Sequence, residues 1–160
     1  KKEIKRILKV IKSVGINVLF TYANSDNGGM IINNEIEKLV YKDKNKYLVI
    51  KNLGQLKYLS AMKHLDFVIG NTSSGIIEAA SFHKPVVNIG SRQSGRLQSG
   101  NVIDTSIEKL EDSIDKATSA SFVKYCRNVE NIYGDGNASG QIVTILENND
   151  PNIVKKFIDL

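Results

Sequence analysis

Cysteine occurs once in this chain of 160 residues, at Cys126, and proline twice, at Pro85 and Pro151. A lone cysteine excludes an internal disulfide and a cysteine cluster for zinc, so Cys126 is expected to pack as a small apolar side chain. With two prolines there is no Pro-rich linker, and no internal repeat or low-complexity tract divides the chain. Histidine is equally scarce. His64 and His83 have no carboxylate or second ligand at a useful spacing, and both read as structural or surface residues. No apolar run approaches the roughly 18 residues that span a bilayer, and no charged-then-apolar leader with a small-residue cleavage site opens the chain. A cytoplasmic protein with no membrane partner is expected.

What is present fits one domain large enough to bury a core: 41% of the residues are apolar and 24% charged. The net charge of +5 comes largely from Lys1, Lys2, Lys5, Arg6, Lys9 and Lys12 and from the 42–46 loop. The first cluster shares a helical stretch with Ile4, Ile7, Leu8 and Ile11, whose spacing places them on the opposite face. A solvated outer face explains that pattern. Without zinc-finger spacing or an RNA-binding aromatic signature, no nucleic-acid partner is expected.

Helical periods alternate with short apolar runs along the whole chain. The spacing predicts helices over 2–14, 30–41, 55–63, 74–82 and 107–118, and strands over 17–22, 47–50, 66–69, 86–89 and, more weakly, 101–105. Segments 121–128, 138–147 and 152–160 also read as helical. Repeated strand–helix alternation implies an α/β fold, one Rossmann-like domain over residues 1–160 with a parallel sheet and helices on both faces.

Such sheets bind ligands beyond the carboxyl ends of their strands, so the loops there matter most. In Gly70-Asn71-Thr72-Ser73-Ser74-Gly75-Ile76-Ile77-Glu78, small hydroxyl residues lie between a strand and a helix. Asn71 to Ser73 are good N-cap types, and a helix start aims free N–H groups and a positive dipole end at an anion. Thr72, Ser73, Ser74 and the slim Gly75 would let a phosphate approach closely. Glu78, one turn further, would accept both hydroxyls of a ribose. Read as structure alone, the same residues make an ordinary capped helix. The next strand ends in Gly90-Ser91-Arg92-Gln93-Ser94-Gly95-Arg96. In a parallel sheet this loop leaves the same edge, so Arg92 and Arg96 could face the helix start and neutralise a diphosphate in fork geometry. The loop Ala23-Asn24-Ser25-Asp26-Asn27-Gly28-Gly29 is rich in hydrogen-bonding groups and glycine, which also suits a plain turn. Lys51-Asn52-Leu53-Gly54 offers backbone groups to a base edge but no diagnostic side chain.

Four motifs, taken in order, carry a family resemblance: 70–79, Pro85-Val86-Val87-Asn88-Ile89-Gly90, Arg92-Gln93-Ser94-Gly95-Arg96 and Asn101-Val102-Ile103. Together with 24–29 and 53–60 they resemble the hydrolysing UDP-N-acetylglucosamine 2-epimerases of sialic acid synthesis over nearly the whole chain. The resemblance implies the C-terminal half of a GT-B-type fold, in which two Rossmann-like halves face a cleft. The implied reaction takes UDP-GlcNAc and water to UDP and N-acetylmannosamine, by elimination of UDP to a glycal and hydration. By motif, Thr72, Ser73, Ser74 and Gly75 would hold the diphosphate, Glu78 the ribose, and Asn24 would line the sugar-nucleotide cleft. Arg92 would stabilise the departing phosphate, with Arg96 a further substrate contact. UDP and the UDP-sugar are the implied ligands, no cofactor or metal is expected, and the oligomeric state of a full-length form is left open.

Two departures qualify the match. Ala23 stands where the family usually has proline. A His-Pro pair expected just before Lys1 is absent, as are the acidic residues of the N-terminal half that would move protons. The expectation is therefore a fragment that binds UDP without turnover, whose final helix, with Ile153, Val154, Phe157 and Ile158, is equally suited to its own sheet or to the missing half. Three readings fit these residues: the nucleotide domain of a hydrolysing epimerase, the donor half of a GT-B glycosyltransferase, and a UDP-sugar binding module without chemistry.

Overall fold

The computed structural model describes residues 1–24 and 28–149. Ser25, Asp26 and Asn27 of the first loop, and the expected helix over 152–160, lie outside the described residues.

Strand and helix alternate as the pattern requires: α1 (Lys2–Val14), β1 (Val18–Thr21), α2 (Gly29–Lys42), β2 (Tyr47–Ile50), α3 (Gly54–His64), β3 (Val68–Gly70), α4 (Ser73–Ile77), β4 (Val86–Ile89), β5 (Val102–Thr105), α5 (Leu110–Thr118), α6 (Ala120–Cys126) and α7 (Ala138–Asn148). All strand pairs are parallel. The strands form two hydrogen-bonded groups where the alternation implied one sheet: β1 with β2, and β3 with β4 and β5. Beneath β1 and β2, Leu8 and Ile11 of α1 pack with Ile36 and Leu39 of α2 and Tyr47.

The three-stranded group is covered on both faces. Because strand side chains alternate, Val87 points to one layer with Leu110, Ile114 and Ala117 of α5, while Val86 points to the other with Met62 of α3 and Ala79. The α1 residues Ile7, Val10 and Val14 also border the α5 layer, and Ile7 borders the β1–β2 core as well. The lysines of α1 are exposed, as the solvated-face reading requires. Arg6 is engaged, since its guanidinium donates to Glu108 at 2.8 Å and holds that carboxyl down to about 2. Cys126 is buried, and desolvation pushes its thiol up. His64 and His83 are exposed. Among the described residues no helix is long and apolar enough to cross a membrane.

The expected helix over 74–82 is divided. A single α-turn, α4, gives way at Glu78 to a 3₁₀ segment, Ala79–Phe82, which ends at His83 with a left-handed φ of 54°. Pro85 sets this limit, because the residue before a proline is driven to extended backbone and a helix cannot pass it. The small, buried Ala79 and Ala80 then let the tightened turn lie close against the sheet.

Gly29 opens α2 where only a glycine fits. A Cβ built there would stand 2.1 Å from the backbone oxygen of Asn24. Gly29→Ala is expected to displace the 23–24 segment and to cost about 1 to 3 kcal/mol, the usual range for overpacking against immobile atoms. Urea titration of the variant checks this, and an unchanged midpoint would mean that Asn24 yields freely.

Candidate functional site

The register of the parallel strands determines which loops meet. Gly70 pairs with Asn88, so β3 and β4 end at the same edge and release their loops side by side. From β3 the chain passes Asn71 into Thr72, which caps α4 with extended backbone and accepts the Ser74 N–H at 3.3 Å. That distance is at the long end for such a bond, leaving a weakly held amide at the helix start. From β4 the chain enters two overlapping turns, with Ser94 N–H donating to Ser91 at 3.0 Å and Arg96 N–H to Gln93 at 3.2 Å. Gln93 then reaches across and donates Nε2–H to the Asn71 carbonyl at 2.8 Å. One side chain thus ties the arginine loop to the residue preceding the helix cap.

Glu78, the residue that caps the C-terminal end of α4, folds back along it. Its carboxylate accepts the Ser74 hydroxyl, an i, i+4 pair on one helix face. The acidic group is therefore held beside the helix start. Gly75 takes a different part from the one anticipated. It is buried, and a Cβ there would meet Val86 Cγ1 at 3.1 Å, so its missing side chain serves the approach of helix to sheet. Only its backbone N–H remains for an anion.

Thr72, Ser73, Arg92 and Arg96 are exposed at this edge, and Asn24 is exposed at the end of the segment that follows β1. The Ala23 N–H donates to Asn33 Oδ1 at 2.8 Å, which pins that segment to α2. A second polar layer braces the β4–β5 ends: Asn88, nearly fully buried, donates to Asp104 at 2.7 Å, and Gln98 donates to the same oxygen at 3.2 Å. Behind α4, Asn131 donates to the Ile77 carbonyl at 2.8 Å and to the Ser81 hydroxyl at 2.7 Å, fixing the far end of the turn. Gln93 and Asn131 carry no recognised role in the sequence reading. Gln93 lies inside a motif noted for its arginines, and Asn131 is 54 residues from Ile77, so neither contact has a local sequence signal.

This edge combines exposed hydroxyls and helix amides, a carboxylate one turn away, and guanidinium groups on the neighbouring loop. Such a set can bind an anion at one end and polyol hydroxyls at the other.

Comparison with known proteins places the chain. The sequence model described as UDP-N-acetylglucosamine 2-epimerase matches residues 1–147. The chain is 42% identical over 122 residues to a GDP/UDP-N,N'-diacetylbacillosamine 2-epimerase (hydrolyzing) of Campylobacter jejuni, covering 76% of this chain and 32% of that protein. It is 33% identical over 149 residues to a UDP-N,N'-diacetylbacillosamine 2-epimerase (hydrolyzing) of Legionella pneumophila, covering 92% and 38%. Its fold resembles the crystal structure of UDP-GlcNAc 2-epimerase from Neisseria meningitidis bound to UDP-GlcNAc, with a TM-score of 0.69 at 21% identity over 92% of this chain and 41% of that one. The chain thus spans about a third of the length of the curated relatives it matches. A sequence match that runs from the first residue into the last turn of α7 goes well beyond a shared fold, and the chain belongs to the UDP-N-acetylglucosamine 2-epimerase family.

Proposed function

We propose that this chain is the C-terminal, UDP-binding Rossmann-like half of a hydrolysing 2-epimerase acting on a UDP-linked 2-acetamido sugar. The observation that carries this reading is the Gln93–Asn71 bond, which brings the arginine loop and the α4 cap to one edge. The diphosphate is held by the Thr72, Ser73 and Ser74 hydroxyls and by the amides of the first α4 turn, the Gly75 N–H included. Glu78 accepts the ribose hydroxyls once the Ser74 hydroxyl turns to phosphate. Arg92 faces the bridging and leaving oxygens, Arg96 adds a further positive charge, and Asn24 lines the sugar side. Elimination of UDP needs a base at the sugar C2 and an acid at the glycosidic oxygen, and the remainder of the full-length protein supplies both.

For the sugar, two readings stand. N-acetylglucosamine follows from the family and gives N-acetylmannosamine. A 2,4-diacetamido sugar is favoured by the names of the relatives at 42% and 33% identity. Incubating the full-length protein with UDP-GlcNAc and separately with UDP-N,N'-diacetylbacillosamine, and assaying UDP and free sugar, distinguishes them. Release of UDP only when a sugar acceptor is added would replace both with a glycosyltransferase.

The ribose assignment has its own test. Glu78→Ala is expected to weaken UDP binding by about 1 to 3 kcal/mol, because charge-assisted bonds to the ribose are lost. Calorimetry with 2'-deoxy-UDP serves as the control, since the preference for the ribose form should shrink in the variant. A preference equal to that of the parent protein would remove Glu78 from the ribose site.

A further inference from the structure

Gln93 is buried, with 4% of its surface exposed, although both flanking residues, Arg92 and Ser94, are exposed. Its amide is half used. Nε2–H donates to the Asn71 carbonyl at 2.8 Å, while Oε1 is buried without a hydrogen-bond partner. The orientation of the amide is fixed by that contact, because a carbonyl can only accept and so must face the nitrogen end. An unpartnered buried amide oxygen costs stability. A methionine at this position would fill nearly the same volume without that cost, so packing alone does not account for a glutamine here. What a methionine would lose is the tie between two loops.

That tie has a direct geometric consequence. Gln93 is the residue after Arg92, and its own carbonyl accepts the Arg96 N–H at 3.2 Å, so its backbone anchors the turn that carries both arginines. Its side chain holds the same turn against Asn71, immediately before the α4 cap. We infer that Gln93 is the positioning residue for Arg92: its amide sets the distance between the guanidinium and the first amides of α4, and so the span of diphosphate that the edge accepts. This inference rests on the UDP reading of the edge. Gln93 itself touches no ligand, being buried beneath the loop. The expected signature is therefore selective, falling on the phosphates and sparing the nucleoside.

The test compares UDP with uridine on the full-length protein by ligand-observed NMR titration. In Gln93→Met, UDP affinity should fall about tenfold while uridine affinity stays within about twofold, the loss expected when one charge-assisted contact is misplaced. The thermal midpoint should not fall, since a hydrogen bond and an unpartnered oxygen disappear together. In the Arg92→Ala background, adding Gln93→Met should cost no more than about twofold in UDP affinity, because the main group it positions is gone and only Arg96 remains on the turn. Gln93→Asn, which keeps the amide but is one methylene too short to reach Asn71, should reproduce the selective loss and serves if the methionine variant folds poorly. An unchanged ratio of UDP to uridine affinity in both variants, or an equal loss with Arg92 already removed, overturns the inference while leaving UDP binding intact. A parent protein that takes up no UDP overturns the nucleotide reading itself.

Discussion

Arg92→Ala in the full-length protein should lower turnover about a hundredfold while raising the substrate KM about tenfold. In the bound UDP-sugar the phosphate oxygens already carry negative charge, but the glycosidic oxygen does not; it gains charge as its bond to the sugar breaks. A guanidinium on the loop following β4 meets that growing charge with planar, paired N–H groups, and an interaction that strengthens along the reaction acts on turnover more than on binding. Arg92→Lys keeps the charge and loses the fork, so it should recover part of the rate. Steady-state measurement of UDP release decides the matter. A loss confined to KM, with turnover intact, would make Arg92 a ground-state anchor and move the stabilisation of the leaving group elsewhere.

Leu110→Ala should remove about 3 to 4 kcal/mol of folding stability, a large share of the 5 to 15 kcal/mol typical of a domain. Leu110 is fully buried at the start of α5, packed with Val87 of the central strand and with Ile114 and Ala117. Its layer borders Ile7, Val10 and Val14 of α1, so truncation leaves a cavity between two helices and the sheet that neither can close without shifting the other. Leu110→Met, which keeps the volume, should cost less than about 1.5 kcal/mol. Urea unfolding of the two variants provides the comparison. Equal costs would mean that the layer is loosely packed and that α5 contributes little to the hold on β4.

Most of the architecture was legible because burial imposes periodicity. The predicted strand 86–89 has the observed bounds Val86–Ile89, since a strand covered on both faces is mostly apolar, its one polar residue, Asn88, being satisfied by Asp104. The strand before the 71–78 loop, expected over 66–69, occupies Val68–Gly70, because Asp66 is exposed and pairing begins only opposite Val86. The spacing over 74–82 predicts one helix because apolar periodicity does not distinguish α from 3₁₀ winding, so the change at Glu78 leaves no mark in it. The candidate site is legible only as residue types at loop ends that share one sheet edge: the Thr72 cap and the Ser74–Glu78 pair are local and follow from helix geometry. The Gln93 and Asn131 contacts are set by packing between distant segments, and no window along the chain contains both partners. The reason for Gly75 was also hidden, since only the packed sheet shows that Val86 needs the room.

Ile7 lends its side chain to two hydrophobic layers, one beneath β1 and β2 and one beneath β3 to β5. Among the described residues the strand groups share no ladder, and α1 acts as a spine that packs against both. Their opening is consequently coupled through aliphatic contact, and the slowest-exchanging amides of both groups should report a common opening free energy. Whatever loosens that spine also loosens the alignment between the loop after β1 and the loop edge beyond β3, so a substitution far from the candidate site can still blur its geometry.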